Sequence, residues 1–292
     1  MMTPLKISVV TPCYNSGRFL RRTIESILGQ NYENLEYILQ DGGSTDETPF
    51  ILDEYSSRVT HCASEPDKGQ YDAINKGFAH ATGEVMAWLN ADDIYLQGTL
   101  PLIGKIFEQF PQIKWLTTRY PLIINENDML IKIGVIPGFN MHGFLCGDNL
   151  TAMGWEGTNF IQQESTFWRR SLWEQAGGYV DSELQFAADF ELWARFFQHE
   201  ELYAMDVPLA CFRKHGAQKT STNLQKYLEE AESVFTRIGG RVPAPAIQAL
   251  RLRLATKQWR ASGRFEWQKQ LFKPSKGVFY DWGSDTWVIK EY

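Results

Sequence analysis

The sequence predicts an α/β fold, a mostly parallel sheet flanked by helices, followed by a C-terminal helical extension. Three observations predict it. Short β-rich runs alternate with segments of helical period through the first hundred residues, turn formers or acids close each run, and no stretch of about 20 apolar residues breaks the rhythm. With 292 residues and 43% hydrophobic content the chain can bury a full core. Its segments divide at 1–98, 99–222 and 223–292.

Lys6-Ile-Ser-Val-Val-Thr11 is the first strand, and Pro12-Cys-Tyr-Asn-Ser-Gly17 turns the chain into a helix whose apolar stripe is Phe19, Leu20, Ile24, Ile27 and Leu28. Asn15 or Ser16 is placed to cap it. Leu35–Asp41 is the second strand; Gly42-Gly43 turns sharply, and Ser44 and Glu47 stand at capping-box spacing before the next helix. The third unit, Thr60–Glu65, runs through Pro66-Asp67-Lys68-Gly69-Gln70 into a helix with Tyr71, Ile74 and Phe78 inward and Asp72, Asn75 and Lys76 outward. Glu84-Val-Met-Ala-Trp-Leu-Asn-Ala-Asp-Asp93 then puts a buried strand in front of Asn90, Asp92 and Asp93.

The chemistry lies at those strand ends. Open α/β sheets bind ligands beyond the carboxyl ends of their strands. Adjacent acids repel unless a cation or proton relieves them, and oxygen ligands suit Mg²⁺ or Mn²⁺ bridging to phosphate. A helix start beside Gly69, with Lys68 adjacent, is an anion site. Three successive units thus deliver Asp41, the 65–72 loop and Asn90–Asp93 to one edge, which fits a nucleoside diphosphate with a metal better than three unrelated turns.

The totals exclude other classes. A net charge of −6 lacks the basic footprint of a nucleic-acid binder. Cys13, Cys62, Cys146 and Cys211 are scattered without a CxxC pair, as in reduced thiols of a cytoplasmic protein. The first apolar run, Ile7–Val10, is too short for a signal peptide.

Taken together, Ser8-Val-Val-Thr-Pro-Cys-Tyr-Asn15, Gln40-Asp-Gly-Gly-Ser-Thr-Asp46, Glu65-Pro-Asp-Lys-Gly-Gln-Tyr-Asp-Ala-Ile-Asn-Lys-Gly77 and Leu89-Asn-Ala-Asp-Asp93 resemble the family 2 glycosyltransferases, which have the GT-A fold. The resemblance is dense over about the first 100 residues, and its specificity lies in the ordered set. It implies that Thr11, Pro12, Tyr14 and Asn15 line the nucleotide pocket, that Asp41 hydrogen-bonds the base, usually uracil, and that the donor and metal motif falls on Asn90-Ala-Asp-Asp93. Asn90 replaces the motif's first acid, leaving Asp92 as the direct metal ligand and Asp93 as a second ligand or a donor-sugar contact. Asp67, Lys68, Asp72 and Lys76 join the nucleotide side.

Beyond residue 98, Leu100, Ile103, Phe107 and Phe110 form another helical stripe, Lys114–Thr118 another strand, and Asn125-Glu-Asn-Asp128 a hairpin turn. Residues 137–159 read as a glycine-rich acceptor-side lid. Phe160–Trp168 reads as a strand, with Ser171 and Glu174 capping a short helix that ends at Gly177-Gly178. A helix starting near Asp189 places that acid on the face of Leu192, Trp193 and Phe196 and turns Glu191 outward. The acid is either a helix cap or a catalytic base. The segment resembles the family's Asp-Tyr-Asp-Leu-Trp pattern, whose first acid is taken as the base; Ala188 stands where many relatives have Glu, and Glu164 is the rival. Ala210–Ser221 gathers basic groups, and the resemblance makes His215 and Lys219 diphosphate partners, His215 also a metal ligand. Helices follow over Leu224–Ile238 and Gln248–Gln270, then a tail with Trp282, Trp287 and Tyr292 that docks on the body or touches a lipid-linked acceptor.

The expected activity is metal-dependent inverting transfer from a nucleoside diphosphate sugar, UDP first, to a hydroxyl on a saccharide or lipid-linked saccharide, in cell-surface or exopolysaccharide or glycolipid assembly, by a cytoplasmic protein with peripheral contact at the inner membrane face as an option. The alternatives are a silent nucleotide-sugar binder and a sugar nucleotidyltransferase or hydrolase; Thr11–Asn15 lacks the early glycine-rich loop of a nucleotidyltransferase.

Overall fold

β1 (Ile7–Cys13) is buried from end to end, because it lies between two parallel neighbours with helices over both faces. Its partners are β2 (Leu35–Asp41) and β4 (Val85–Trp88); β3 (His61–Ser64) pairs outside β2. α1 (Gly17–Leu28), α2 (Thr48–Tyr55) and α3 (Gln70–His80) are the intervening helices. α3 approaches β1 so closely that a Cβ on Gly77 would lie 2.5 Å from Val10 Cγ1. The computed structural model describes residues 3–150, 160–216, 218, 223–241 and 274–292.

Past β4 come β5 (Ile94–Tyr95), α4 (Thr99–Gln109), β6 (Trp115–Thr118), β7 (Leu122–Ile124), β8 (Leu130–Ile133) and α5 (Met141–Leu145). A 3₁₀ turn at Gln163–Ser165, β9 (Phe167–Arg169), α6 (Arg170–Gln175), α7 (Ala188–Phe197), β10 (Tyr203–Met205) and β11 (Ala210–Arg213) follow. α8 (Leu224–Arg237), β12 (Lys276–Asp281) and β13 (Thr286–Glu291) complete the described elements. A nine-stranded sheet runs β13-β12-β10-β6-β9-β4-β1-β2-β3, antiparallel only where β9 and β13 pair; β5-β11-β7-β8 form a smaller sheet. One face of the main sheet is dominated by indoles: Trp193 of α7 stacks on Trp88 and Trp115 at 6.0 and 5.7 Å, which fixes α7 against β4 and β6.

The hydrophobic period located these elements well, but several local expectations need correction. Ser44 does not cap α2; its hydroxyl and amide both turn to Asp41, and Asp46 instead accepts from Thr48 N (2.9 Å) and Gly17 N (2.9 Å), serving α1 and α2 together. Ser16 stands at the N-cap of α1, yet its hydroxyl bonds Tyr14 O. Phe160–Trp168 is a strand only at its end. Gln163 donates its amide to Trp88 O at 2.7 Å and Thr166 its hydroxyl to Gln162 O, side-chain bonds that hold a tight turn where a ladder was expected. Arg169 occupies the N-cap of α6, so Ser171 and Glu174 form no capping box there.

Residues 137–150 are no loose lid. Asn140 caps α5 by accepting from Gly143 N at 2.8 Å, and Phe139 and Phe144 sit in the core; 151–159 lie outside the described residues, as does the expected helix 248–270. The C-terminal extension is helical at α8, but 276–291 is a hairpin that pairs with β10 and widens the main sheet. Its aromatic and β-branched residues fit strand packing, and Trp287 is buried, while Trp282 at the turn is exposed.

Candidate active site

The carboxyl ends of β1, β2 and β4 open on one edge, with Cys13 level with Asp41 across the β1–β2 ladder. Tyr14 is 62% exposed there. Asn15 takes a left-handed conformation (φ 48°); its amide bonds Ser44 Oγ and its side chain accepts from Thr45 N, clasping the two loops. Thr11 and Pro12 lie below this mouth: Thr11 is fully buried and accepts from Tyr37 OH at 3.0 Å. Asp41 is buried and receives Gly43 N, Ser44 N, Ser44 Oγ and Ser64 Oγ, a ring of small donors at the floor of this mouth. A side chain at position 42 would meet Asp67 Oδ2 at 2.5 Å, so glycine permits this closeness. Burial raises the Asp67 carboxyl.

At the start of α3, Gly69 (φ 123°) frees the backbone to turn, and the amides of Gly69 and Lys68 are held by Asp67 and Asp72. Lys76 bonds Pro66 O at 3.0 Å and pairs with Glu65 at 3.1 Å, bracing this loop. Gln70 Nε2 donates to Asn90 Oδ1 at 2.8 Å, joining α3 to the end of β4.

The two acids after Asn90 diverge. Asp93 turns inward, accepting from Arg213 N at 2.8 Å and from Asn90 at 3.4 Å; burial, then the charges of Asp92 and Glu164, push its carboxyl well above the usual range. Asp92 remains partly exposed and meets His215 Nε2 at 2.8 Å. Phe19 packs on the imidazole at 4.8 Å, and the buried His215 Nδ1 has no hydrogen-bond partner among the described residues. Among the described residues no three His, Cys, Asp or Glu side chains converge as a closed metal cage. The Asp92–His215 pair does suit an open Mg²⁺ or Mn²⁺ site completed by substrate phosphate oxygens and water, the usual habit of Mg²⁺. Lys219 lies outside the described residues.

Arg213 was not singled out in the sequence. Its guanidinium is fully buried, with Nε on Asp92 O at 2.6 Å, Nη1 bonded to Asp128 of the β7–β8 turn, and Phe19 4.9 Å beneath it. Strand alternation carried no signal for it, because Ala210, Cys211 and Arg213 of β11 are all buried whichever face they take.

In the 3₁₀ turn, Glu164 is 3% exposed, and burial first, offset by its own backbone amide and reinforced by Asp189 and Asp92, pushes it up to about 8. Asp189, in the first turn of α7, is pushed up to about 6, chiefly by burial, with Phe190 N bonded to its Oδ1 at 2.8 Å opposing the shift. It lines a small pocket with Asn149, Phe160, Ile161, Trp193 and Tyr227. Glu191 corrects the expectation that it faces solvent. It is 4% exposed because Arg195 at 2.8 Å and Arg237 at 3.3 Å neutralise it between α7 and α8.

Comparison with known proteins places residues 8–139 in the pattern described as Glycosyl transferase family 2. An uncharacterized glycosyltransferase of Rickettsia prowazekii is 27% identical over 237 residues, spanning 79% of this chain and 70% of its own. Among solved structures, Staphylococcus aureus TarS in complex with UDP-GlcNAc matches with a TM-score of 0.63 at 16% identity, over 91% of this chain and 78% of that one. The chain spans 47% of a longer crystallised TarS chain. A mannosyltransferase from Pyrobaculum calidifontis, in complex with GDP-Man and Mn²⁺, matches with a TM-score of 0.52 at 17% identity, over 92% and 84%. At these identities the structural matches establish the fold.

Proposed function

Because the chain belongs to the family 2 glycosyltransferases, nucleotide-sugar enzymes of GT-A fold, we propose that it transfers a sugar from a UDP-sugar to a hydroxyl acceptor with inversion at the anomeric carbon. The observation that carries this reading is the gathering of Asp41, the 65–72 loop and the Asp92–His215 pair at one sheet edge, together with two carboxyls that burial raises unequally, Glu164 to about 8 and Asp189 to about 6. Asp189 takes the acceptor proton as the hydroxyl attacks. Glu164 donates a hydrogen bond that orients the acceptor.

Asp92 and His215 are the groups that would hold a divalent cation. When bound, it offsets charge on the diphosphate leaving group. Asp93 and Arg213 support that pair from behind through Arg213 N and Asp92 O. Tyr14, Asn15, Asp41 and Asp67 form the base side, where the ring of donors around Asp41 fixes its carboxylate for a pyrimidine edge. TarS, bound to UDP-GlcNAc, agrees with uridine; the mannosyltransferase binds GDP-Man, so the base is a point to test. We assign the acceptor to a saccharide or lipid-linked saccharide of surface polysaccharide or glycolipid assembly, with the enzyme at the cytoplasmic membrane face. No helix among the described residues is long and apolar enough to cross a membrane.

Nucleotide release from UDP-glucose, UDP-galactose, UDP-GlcNAc and GDP-mannose, measured with Mn²⁺ and a mixture of simple saccharide acceptors, tests this. A UDP-sugar should be turned over preferentially. Preferential turnover of GDP-mannose would remove the base assignment.

A further inference from the structure

α7 begins without a cap of its own. Ala187 stands at the N-cap, where a side-chain oxygen would ordinarily take a free backbone N–H. A carboxylate from α8 instead holds the turn that leads into the helix. Glu230 accepts from three successive amides, Gln185 N at 3.0 Å, Phe186 N at 2.8 Å and Ala187 N at 2.9 Å. A carboxylate at a helix N-terminus is favoured by the helix dipole, and charge-assisted bonds are the strong ones. From the other side, Tyr71 OH of α3 donates to Phe186 O at 2.8 Å. The turn from which Asp189 projects is therefore clamped between α3 and α8.

We propose that Glu230 is a positioning residue for Asp189: it fixes the turn that aims the Asp189 carboxylate, and its charge sets the field in which that carboxylate takes a proton. The groups facing Asp189 are Tyr71 from α3, Tyr227 and Glu230 from α8, and Glu164 from the 3₁₀ turn. Burial holds both phenols far above their ordinary range and pushes Glu164 up to about 8. Among the described residues Glu230 is the carboxylate whose charge raises Asp189. A segment outside the nucleotide-binding half thus tunes the base.

The proposal rests on Asp189 being the base, so the experiment separates the two. Thermal unfolding is followed at pH 8 and pH 4 for wild type, Asp189→Asn, Glu230→Gln and the double variant, with UDP release from UDP-glucose, UDP-galactose and UDP-GlcNAc measured alongside. Asp189→Asn should raise Tm at pH 8, and raise it less when Glu230 is already Gln. Glu230→Gln should move the acid limb of kcat/KM to lower pH and reduce kcat by roughly 10- to 100-fold, the scale of a displaced catalytic group, with UDP affinity unchanged. Glu230→Asp, which keeps the charge but shortens its reach, should lower kcat and leave the acid limb near pH 6. Equal Tm gains in both backgrounds, or a wild-type rate and pH profile in Glu230→Gln while Asp189→Asn is inactive, overturn the role of Glu230 alone. Wild-type turnover in Asp189→Asn overturns the base assignment and this proposal with it.

Discussion

Replacing Asp189 with Asn should make the enzyme inactive and more stable at once. In the fold the carboxyl is pushed from 3.8 to about 6, so between those values the native state holds a proton that the unfolded chain has lost. Stability therefore falls as pH rises through this window and stays lower above it, the opposite of an ion-paired Asp. At 1.36 kcal/mol per pKa unit, about 2 units correspond to a penalty of about 3 kcal/mol at pH 8. Asn has no charge to desolvate and keeps a carbonyl for Phe190 N. The variant should gain up to about 3 kcal/mol at pH 8 and nothing at pH 4; at roughly 2 °C or more per kcal/mol this is a rise of about 6 °C in Tm. Loss of a general base should lower kcat by about 10² to 10⁴-fold, while wild-type kcat/KM rises with pH through about 6. Scanning calorimetry at both pH values, with nucleotide-release assays, reads both effects. A variant no more stable at pH 8 than wild type, or one that keeps normal turnover, refutes the reasoning.

Glu164→Gln should abolish an alkaline decline in turnover near pH 8, because the neutral hydrogen-bond donor persists where Glu164 ionises; an unchanged alkaline limb in a pH-rate series would speak against that role. Arg213→Met takes the buried donor from the carbonyl of Asp92 and leaves Asp128 with Arg22 alone, so stability should drop by about 1 to 3 kcal/mol, measured by urea unfolding, and no measurable loss would show the buried guanidinium to be dispensable. Asp41→Asn should weaken UDP by about 1 to 3 kcal/mol in competition titrations; equal competition by ADP and UDP would instead remove Asp41 from base recognition.

The sequence was most legible where one local period dominates. Alternating βα units, closed by Asp41, the 65–72 loop and Asn90–Asp93, gave the strand ends and brought them to one sheet edge. Side-chain allegiance was less legible, because it depends on contacts distant in the chain. Ser44 has the spacing of a cap but bonds Asp41, and Glu191, an outward position on its own helix, is drawn inside by Arg237 from 46 residues further on. Arg213 is one charge of a basic run in the sequence, and it is the Asp92 carbonyl and the Asp128 turn, both distant in the chain, that hold it in the core. The hairpin at 276–291 was missed because β12 pairs with β10, more than 70 residues earlier, and an aromatic tail carries no local sign of that partner.

The central claim is a nucleotide site completed by a divalent cation held at Asp92 and His215. Calorimetric titration of UDP into the enzyme with Mn²⁺, with chelator, and into Asp92→Ala with Mn²⁺ tests it most directly. The account predicts clear binding in the first case and severe weakening in the other two; equal affinity in all three would contradict it.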